Sequence, residues 1–345
     1  MGRRAALMPL LDRHDRPLRS LRISVTDRCN LRCSYCMPAA EYRWIPHEAV
    51  LRYEEILRLL HHFLRAGVRR VRITGGEPLL RLGLDNLVRM LAGLDGIEDL
   101  ALTTNGVLLA EQAAALRAAG LGRLTISLDT LDRERFRRLT RRDDLARVLA
   151  GIEAAAAVGF AGTKLNTVVV RGFNEDEIPS LLAFGREHGV EVRFIEYMDV
   201  GGGTGWSEER VVPQEEILAR VASAHGAPQP VAGRGSAPAA RWRLPDGTVF
   251  GVIAATTAPF CADCDRSRIT ADGHWFTCLH ATRGHDFRSL LRGPGPDQAI
   301  AHLIESVWRR REDRGAEEAR ARRLAGGPEP PAGADRHAEM HVKGG

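Results

Sequence analysis

Short, apolar, β-branched runs recur along the first two-thirds of the chain, and each is followed by a stretch whose apolar residues repeat at helical spacing. The runs are Leu21 to Thr26, Val71 to Thr74, Leu100 to Thr104, Leu124 to Leu128, Lys164 to Val170 and Val192 to Tyr197. The amphipathic stretches are Tyr53 to Ala66, Leu84 to Leu94, Leu108 to Ala119, Asp144 to Val158 and Asp176 to His188, with Gly67, Gly120, Gly159 and Gly189 as stops. Regular alternation of this kind predicts an α/β fold around a parallel sheet, open or rolled. Six βα units rather than eight point to an incomplete (β/α)6 TIM-type barrel, open on one side.

The residues with chemistry fall at strand ends, where α/β barrels and doubly wound sheets carry their sites: three cysteines, Gly75-Gly76-Glu77, Thr104-Asn105-Gly106, Ser127 and Asp129, Lys164, and Arg193 to Met198. From Gly201 the alternation stops. A glycine-rich turn leads to a helix over Pro213 to Ala224 and to an Ala, Pro and Gly-rich connector, His225 to Ala240, read as a flexible loop. Trp242 to Ala255 and Arg268 to Phe276 read as hairpin strands flanking a second cysteine group. A helix follows over Asp297 to Leu324, its seven Arg mixed with six acids as on a solvated face, and Gly326 to Asp335 reads as a linker. His61 and His62 in the first helix and His285 in a polar turn read as ordinary surface or cap residues.

Composition narrows the function classes only a little. Forty-nine basic against 44 acidic residues leave +5 over 345 residues, compatible with an anionic substrate. No apolar run approaches a membrane span, and Pro9 interrupts the opening before a secretory segment forms, so a cytoplasmic protein is expected. Gly2 is followed by Ala6 where a myristoylation motif carries Ser or Thr. Aromatics are 6% of residues and no RRM signature is found, which argues against an RNA-binding module, and no GxxxxGK[ST] stretch is present. Gly201 to Gly205 lacks the lysine of such a loop and reads as a turn.

All six cysteines fall into two triplets, Cys29, Cys33, Cys36 and Cys261, Cys264, Cys278. In a reducing compartment such groups bind metal more often than they form disulfides. Three thiolates are one short of a closed tetrahedral site. The first group suits a 4Fe-4S cluster with one iron left open; a zinc knuckle is the alternative, for which no second CxxC or HxxxH follows nearby. The second group admits a structural zinc completed by His274 or His280, or a second cluster.

Cys29-x3-Cys33-x2-Cys36 after the first strand resembles the signature of the radical S-adenosylmethionine enzymes, and Gly75-Gly76-Glu77-Pro78 resembles their GGE element. That resemblance implies an open iron that binds the amino and carboxylate groups of S-adenosylmethionine, whose reductive cleavage yields a 5'-deoxyadenosyl radical. It implies cofactor contacts from Tyr35, Gly76, Ser127 and Met198.

The second triplet is followed by Arg266-Ser267-Arg268, which puts two guanidinium groups on one side of an extended segment. With Leu21 to Asn30, Thr103 to Gly106, Thr163 to Gly172 and the terminal Gly344-Gly345, the chain from about Pro17 onward resembles the GTP 3',8-cyclase family of molybdenum cofactor biosynthesis. The resemblance implies a second 4Fe-4S cluster whose open iron binds guanine. Substrate contacts implied are Arg22, Arg72, Thr103, Lys164, Arg193, Arg266, Ser267 and Arg268, with Arg70 as a further phosphate ligand.

Arg266, Arg268, Gly344 and Gly345 are the implied catalytic residues, the two glycines reaching the site on a tail that carries Lys343 where an apolar residue is expected. The implied reaction abstracts hydrogen from C3' of GTP and joins C3' to C8 of guanine. An external electron donor, a homodimer and transfer of product to cyclic pyranopterin monophosphate synthase follow from the same family. The expected division is a radical-generating barrel over 1–200 and an extension over 201–345 with the second cluster and the tail. A peptide maturase with an auxiliary cluster is the alternative within the superfamily, against which the arginine pair and the terminal glycines count.

Overall fold

In the computed structural model, which describes residues 9–37, 42–200, 206–326 and 339–344, the six expected strands form within two residues of their expected limits. Gly2, the turn at 201–205, residues 327–335 and Gly345 lie outside the described residues. The strands are β1 (Ser20–Ser24), β2 (Arg70–Thr74), β3 (Asp99–Thr104), β4 (Arg123–Ser127), β5 (Lys164–Val169) and β6 (Glu191–Glu196). They are parallel and ordered as in the chain. The helices between them are α1 (Tyr53–Arg65), α2 (Leu84–Ala92), α3 (Leu109–Ala118), α4 (Arg133–Thr140), α5 (Leu145–Ala157) and α6 (Ile178–Glu187). Helix α4 escapes the sequence pattern because in RERFRRLT only Phe136, Leu139 and Thr140 are buried, too few to mark a face.

β5 and β6 bury one face and half-expose the other in strict alternation, whereas β3 and β4 are buried on both faces at their centres. The buried face carries Leu21, Ile23, Val71, Ile73, Leu102, Ile126, Leu165 and Phe194, packed on helix residues such as Leu60, Leu87, Leu116 and Ile152 in one core. Each such side chain contributes about 1.5–3 kcal/mol by leaving water. The half-exposed face is polar, so it walls a cavity and is not the filled interior of a closed barrel.

Beyond α7 (Gln214–His225) come β7 (Gln229–Val231), β8 (Ala240–Arg243), β9 (Val249–Ile253), β10 (Arg266–Ile269), β11 (His274–Phe276) and β12 (His285–Asp286). The hairpin strands expected on either side of the second cysteines form as two separate hairpins. β8–β9 adds to one side of the six-stranded core, with β9 parallel to β6, and β10–β11 adds to the other, with β10 parallel to β1. The sheet order is therefore β12-β11-β10-β1-β2-β3-β4-β5-β6-β9-β8-β7, and residues 254–265 cross the open side of the barrel between β9 and β10.

The connector is not simply a loop. β7 pairs with β8, and Ser236 donates to Asp265 at 2.8 Å. His285 lies on β12, its ring 5.9 Å from that of Trp275.

Asp297 to Leu324 forms two helices, α9 (Asp297–Arg309) and α10 (Gly315–Leu324), after the short α8 (Arg288–Arg292). The chain breaks between them where Arg311 turns inward and is 4% exposed, so the solvated-face reading fails for that residue. Trp275, Phe287 and Trp308 stack around Phe63 of α1 and seat the extension on the barrel. The last described helical turn is α11 (Met340–Lys343). No helix among the described residues is long and apolar enough to cross a membrane.

Candidate active site

Strand direction places the two cysteine triplets at opposite ends of the cavity. Cys29, Cys33 and Cys36 follow the carboxyl end of β1. Cys264 precedes the amino end of β10, which runs parallel to β1 with Arg266 opposite Ser20. The β10–β11 hairpin pairs Arg268 with Phe276 and so returns Cys278 to the level of Arg266, beside Cys264. The 13-residue gap in the second spacing is this excursion. One strand, roughly 16 Å for five residues at about 3.3 Å each, separates the two groups.

The first loop is held by its neighbours. Arg32 N–H donates to Thr140 O (2.9 Å) and Ser34 N–H to Leu139 O (3.0 Å), both on α4. Gly76 N–H donates to Thr26 O (2.8 Å) and Glu77 N–H to Arg28 O (2.7 Å). A Cβ on Gly76 would stand 2.3 Å from Arg28 O, so only glycine lets the β2 turn lie against the cysteine loop.

Glu77 is fully buried and accepts from Leu79 N–H (3.0 Å), Thr104 Oγ1 (2.7 Å) and Asn105 N–H (2.7 Å). Burial pushes its carboxyl up to about 7 against those three bonds. Asn105 Nδ2 reaches Cys29 Sγ at 3.8 Å. Tyr35 donates to Asp129 at 2.7 Å, and burial lifts Asp129 to about 6.

All six cysteines are free and half-buried. Burial pushes Cys29 up to about 11, with Glu77 adding to it, and raises Cys33 and Cys36 further. In the second group burial also pushes the Cys264 thiol up, but Arg266 and Arg311 outweigh it and hold it at about 7. Among the described residues no three Cys, His, Asp or Glu side chains converge to hold a single metal ion. The thiols of each group nonetheless lie within electrostatic reach of one another. Three thiols with one coordination position left open suit a 4Fe-4S cluster.

A donor is also left over beside the second group. Arg16 Nη2 is buried without a partner, on the guanidinium whose Nη1 holds Cys261 O at 2.9 Å. Both triplets fit 4Fe-4S clusters.

Side chains in register across the sheet share a face, and the inward face is basic. Arg268, Arg22 and Arg72 are in register on β10, β1 and β2; Thr103, Thr125 and Lys164 follow on β3, β4 and β5, and Ser127, Asn166 and Arg193 on β4, β5 and β6. Arg72 donates to Thr103 (3.2 Å) and Thr125 (2.8 Å), and Lys164 to Gly162 O (3.0 Å). Arg266 reaches Cys264 Sγ (3.3 Å) and lies over Phe260. Burial and neighbouring arginines pull Arg22 down to about 9 and Arg268 to about 10, and burial brings Lys164 to about 8.

Lys164 opens β5 and Arg193 sits within β6, so both lie nearer the second triplet than the expected strand ends. Arg193 pairs with Glu191 at 2.8 Å. Arg70, expected as a phosphate ligand, is paired with Asp265 and donates to Ser236. Ser267 aligns with Leu21 on the opposite face, its Oγ buried without a partner, so its side chain is not among the inward groups. Sequence reading missed Arg123, inward but held by Asp99 (2.7 Å), and Asn166, whose Oδ1 is a buried acceptor without a partner.

The tail docks. Arg268 Nη1 donates to Lys343 O and Gly344 O, each at 3.2 Å. Gly344 has φ +70° and packs so closely on Thr74 that a Cβ would lie 2.2 Å from its methyl. The unexpected Lys343 is accommodated: it is 2% exposed, donates to Leu279 O (3.0 Å) and Ala281 O, and stands 4.9 Å from the Phe276 ring centre. Gly345, expected to be catalytic, lies outside the described residues. A cavity of about 230 Å³ opens beside Tyr35, lined also by Ser34, Val170, Phe173 and Tyr197. Ser127 and Met198 are both half-buried near the carboxyl ends of β4 and β6.

The chain matches the family profile of the radical SAM superfamily over residues 23–185 and that of Molybdenum Cofactor Synthesis C over residues 190–317. GTP 3',8-cyclase 1 of Mycobacterium tuberculosis is 49% identical over 97% of this chain and 95% of its own. The GTP 3',8-cyclase of Acidothermus cellulolyticus is 51% identical over 90% of this chain and 88% of its own. Among solved structures, Streptococcus suis SuiB bound to its precursor peptide SuiA superposes with a TM-score of 0.61 at 18% identity. That match covers 89% of this chain and 68% of SuiB, a likeness of fold.

Proposed function

The chain belongs to the GTP 3',8-cyclases, a family of radical S-adenosylmethionine enzymes, and from that premise we propose how its own residues divide the reaction. It converts GTP to (8S)-3',8-cyclo-7,8-dihydroguanosine 5'-triphosphate, the first step of molybdenum cofactor biosynthesis, as a carbon–carbon lyase dependent on S-adenosylmethionine and two 4Fe-4S clusters.

When bound, the cluster on Cys29, Cys33 and Cys36 and S-adenosylmethionine supply a one-electron cleavage that furnishes a deoxyadenosyl radical. Gly76, its N–H committed to Thr26, offers its carbonyl to the methionine end of that cofactor. Tyr35, Ser127, Asn166 and Met198 take the nucleoside end. Cys261, Cys264 and Cys278 hold the second cluster, at which guanine is bound.

The observation that carries this assignment is the inward set Arg22, Arg72, Lys164, Arg266 and Arg268, which form no ion pair with a carboxylate among the described residues. Like charges this close in a partly dry cavity repel by a few kcal/mol per pair, roughly 4 kcal/mol at 4 Å for an effective dielectric of about 20. A triphosphate turns that repulsion into binding. Arg193 and Thr103 complete the cradle, and Ser267 contributes through its backbone.

Held there, the ribose lies between the two loops and faces the radical, the orientation on which intramolecular attack of C3' on C8 depends. Arg268 fixes Gly344 against the substrate, and Gly345 keeps the catalytic role the family implies. The division near residue 200 assigns radical generation to the barrel and nucleotide capture to the extension. An external one-electron donor, a homodimer, a cytoplasmic setting and transfer of product to cyclic pyranopterin monophosphate synthase complete the reading. Replacing both Arg266→Ala and Arg268→Ala leaves both clusters assembled and removes GTP-dependent deoxyadenosine formation; undiminished turnover overturns the cradle.

A further inference from the structure

The second cysteine loop is wrapped by a buried ion network that the reaction as described does not use. Asp12, fully buried, binds Arg16 Nε (2.7 Å) and Arg311 Nη1 (3.1 Å). Arg311 also donates to Cys264 O (2.8 Å), lies 3.7 Å from Cys264 Sγ through Nη2, and stacks 4.4 Å over Trp308. Arg16 donates to Cys261 O and Asp313 O and keeps one buried donor without a partner. With Arg266 at 3.3 Å, two guanidinium groups point at one cysteine sulfur from two sides. At the first loop Arg32 donates to Cys29 O (2.6 Å), but among the described residues no guanidinium donates to a cysteine sulfur there: Cys29 Sγ meets the neutral Asn105 amide. Carboxylates stand near both triplets, Glu77 and Asp129 at the first and Glu317 and Asp313 at the second, so the difference lies in the donors aimed at Cys264 Sγ.

We propose that Arg311, together with Arg266, sets the reduction potential of the cluster on Cys261, Cys264 and Cys278 by donating to the Cys264 sulfur, making it the more easily reduced of the two clusters. Adding an electron makes a thiolate-ligated cluster more negative. Cations and N–H donors at its sulfurs favour the reduced form, and nearby carboxylates oppose it. The network does for the second cluster what a hydrogen-bonded second shell does for a metal ligand: Asp12 fixes the guanidinium so that its donors stay aimed at sulfur. Helix α9 ends where it does because Arg311 must leave the helical path to reach Cys264. This inference rests on reading the second triplet as a cluster site.

The test is a potentiometric titration of the anaerobic holoenzyme followed by EPR, the first cluster identified by the signal that S-adenosylmethionine perturbs and the second by the signal that GTP perturbs. The second cluster is expected to reduce at the less negative potential. In Arg311→Met, which leaves Asp12 paired with Arg16, its oxidised-to-reduced ratio at fixed potential rises about tenfold, which for one electron is about 59 mV. The first cluster does not move. Arg311→Lys keeps the charge without the fork and gives a smaller shift.

An unmoved second midpoint in Arg311→Met, or a wild-type order the other way round, overturns the proposal. Should Arg311→Met fail to load the second cluster, Arg266→Gln reads the other donor and is expected to shift the midpoint in the same direction; no shift there overturns it equally. Iron and sulfide contents of the wild-type protein that account for only one cluster would instead remove the reading beneath it.

Discussion

The two cysteine loops are built in opposite ways. The first is local: three thiols within eight residues, pinned by the Gly75-Gly76-Glu77 turn and by α4, with the Asn105 amide and the Glu77 carboxyl beside Cys29 and Arg32 as a nearby cation. The second is assembled from afar, with Arg16 near the start of the chain and Arg311 near its end closing on a hairpin between them, and its surroundings are cationic. A local loop with few cations suits a centre that must give up an electron; a loop ringed by guanidinium groups suits one that must hold an anionic nucleotide. Between them, the inward arginines and Lys164 run along the sheet from one environment to the other.

The sharpest way to break this comparison is to remove one ligand from each loop. Cys33→Ser and Cys264→Ser should each lower iron content by about half. The first variant loses deoxyadenosine formation to background and the cyclised product with it, and the second loses the cyclised product while still cleaving S-adenosylmethionine without GTP. Anaerobic iron analysis and product chromatography check both, and loss of that basal cleavage in Cys264→Ser would dissolve the distinction.

Next comes the tail that lies between the loops. Gly344→Ala places a methyl 2.2 Å from Thr74 and strains a residue at φ +70°. The tail then shifts by about 1 Å, and kcat falls by about 10²-fold while both clusters and the KM for GTP stay near wild-type. Unchanged kcat would mean that the docked tail is incidental.

The smallest expected effect concerns Glu77. Its folded carboxyl stands at about 7 against an ordinary 4.5, so the folded state binds the proton more tightly than the unfolded one. The stability this contributes is complete below about 4.5 and is lost as pH rises through 7. The change is on the order of 3 kcal/mol at about 1.4 kcal/mol per unit. Urea unfolding midpoints should fall between about pH 4.5 and 7 in the wild-type protein by more than they do in Glu77→Gln.

Much of the first loop and its barrel was legible. Six strands and five of the helices between them follow from period-2 and period-3.6 patterns that the buried face enforces, and Gly76 marks a backbone approach that no side chain permits. Less of the second loop was. Short strands such as Arg266–Ile269 carry no signal of which sheet edge they join or in which direction, because edge choice is settled by pairing with residues nearly 250 positions away. Arg311 read as one more arginine on a charged helix. Ser267 and Arg70 looked like substrate contacts until register turned one to the far face and Asp265 claimed the other.

The sequence by itself determined the alternating α/β architecture, the two cysteine triplets with their spacings and the family to which they belong, since each depends on residues close together in the chain. Only the tertiary structure decided that the triplets face each other across one strand length, that five cations turn inward without carboxylate partners among the described residues, and that Lys343 is satisfied by two carbonyls and an aromatic face. Each of those depends on parallel pairing at both edges of a six-stranded core, a long-range choice made by burial and hydrogen bonding of the whole sheet rather than by any local pattern.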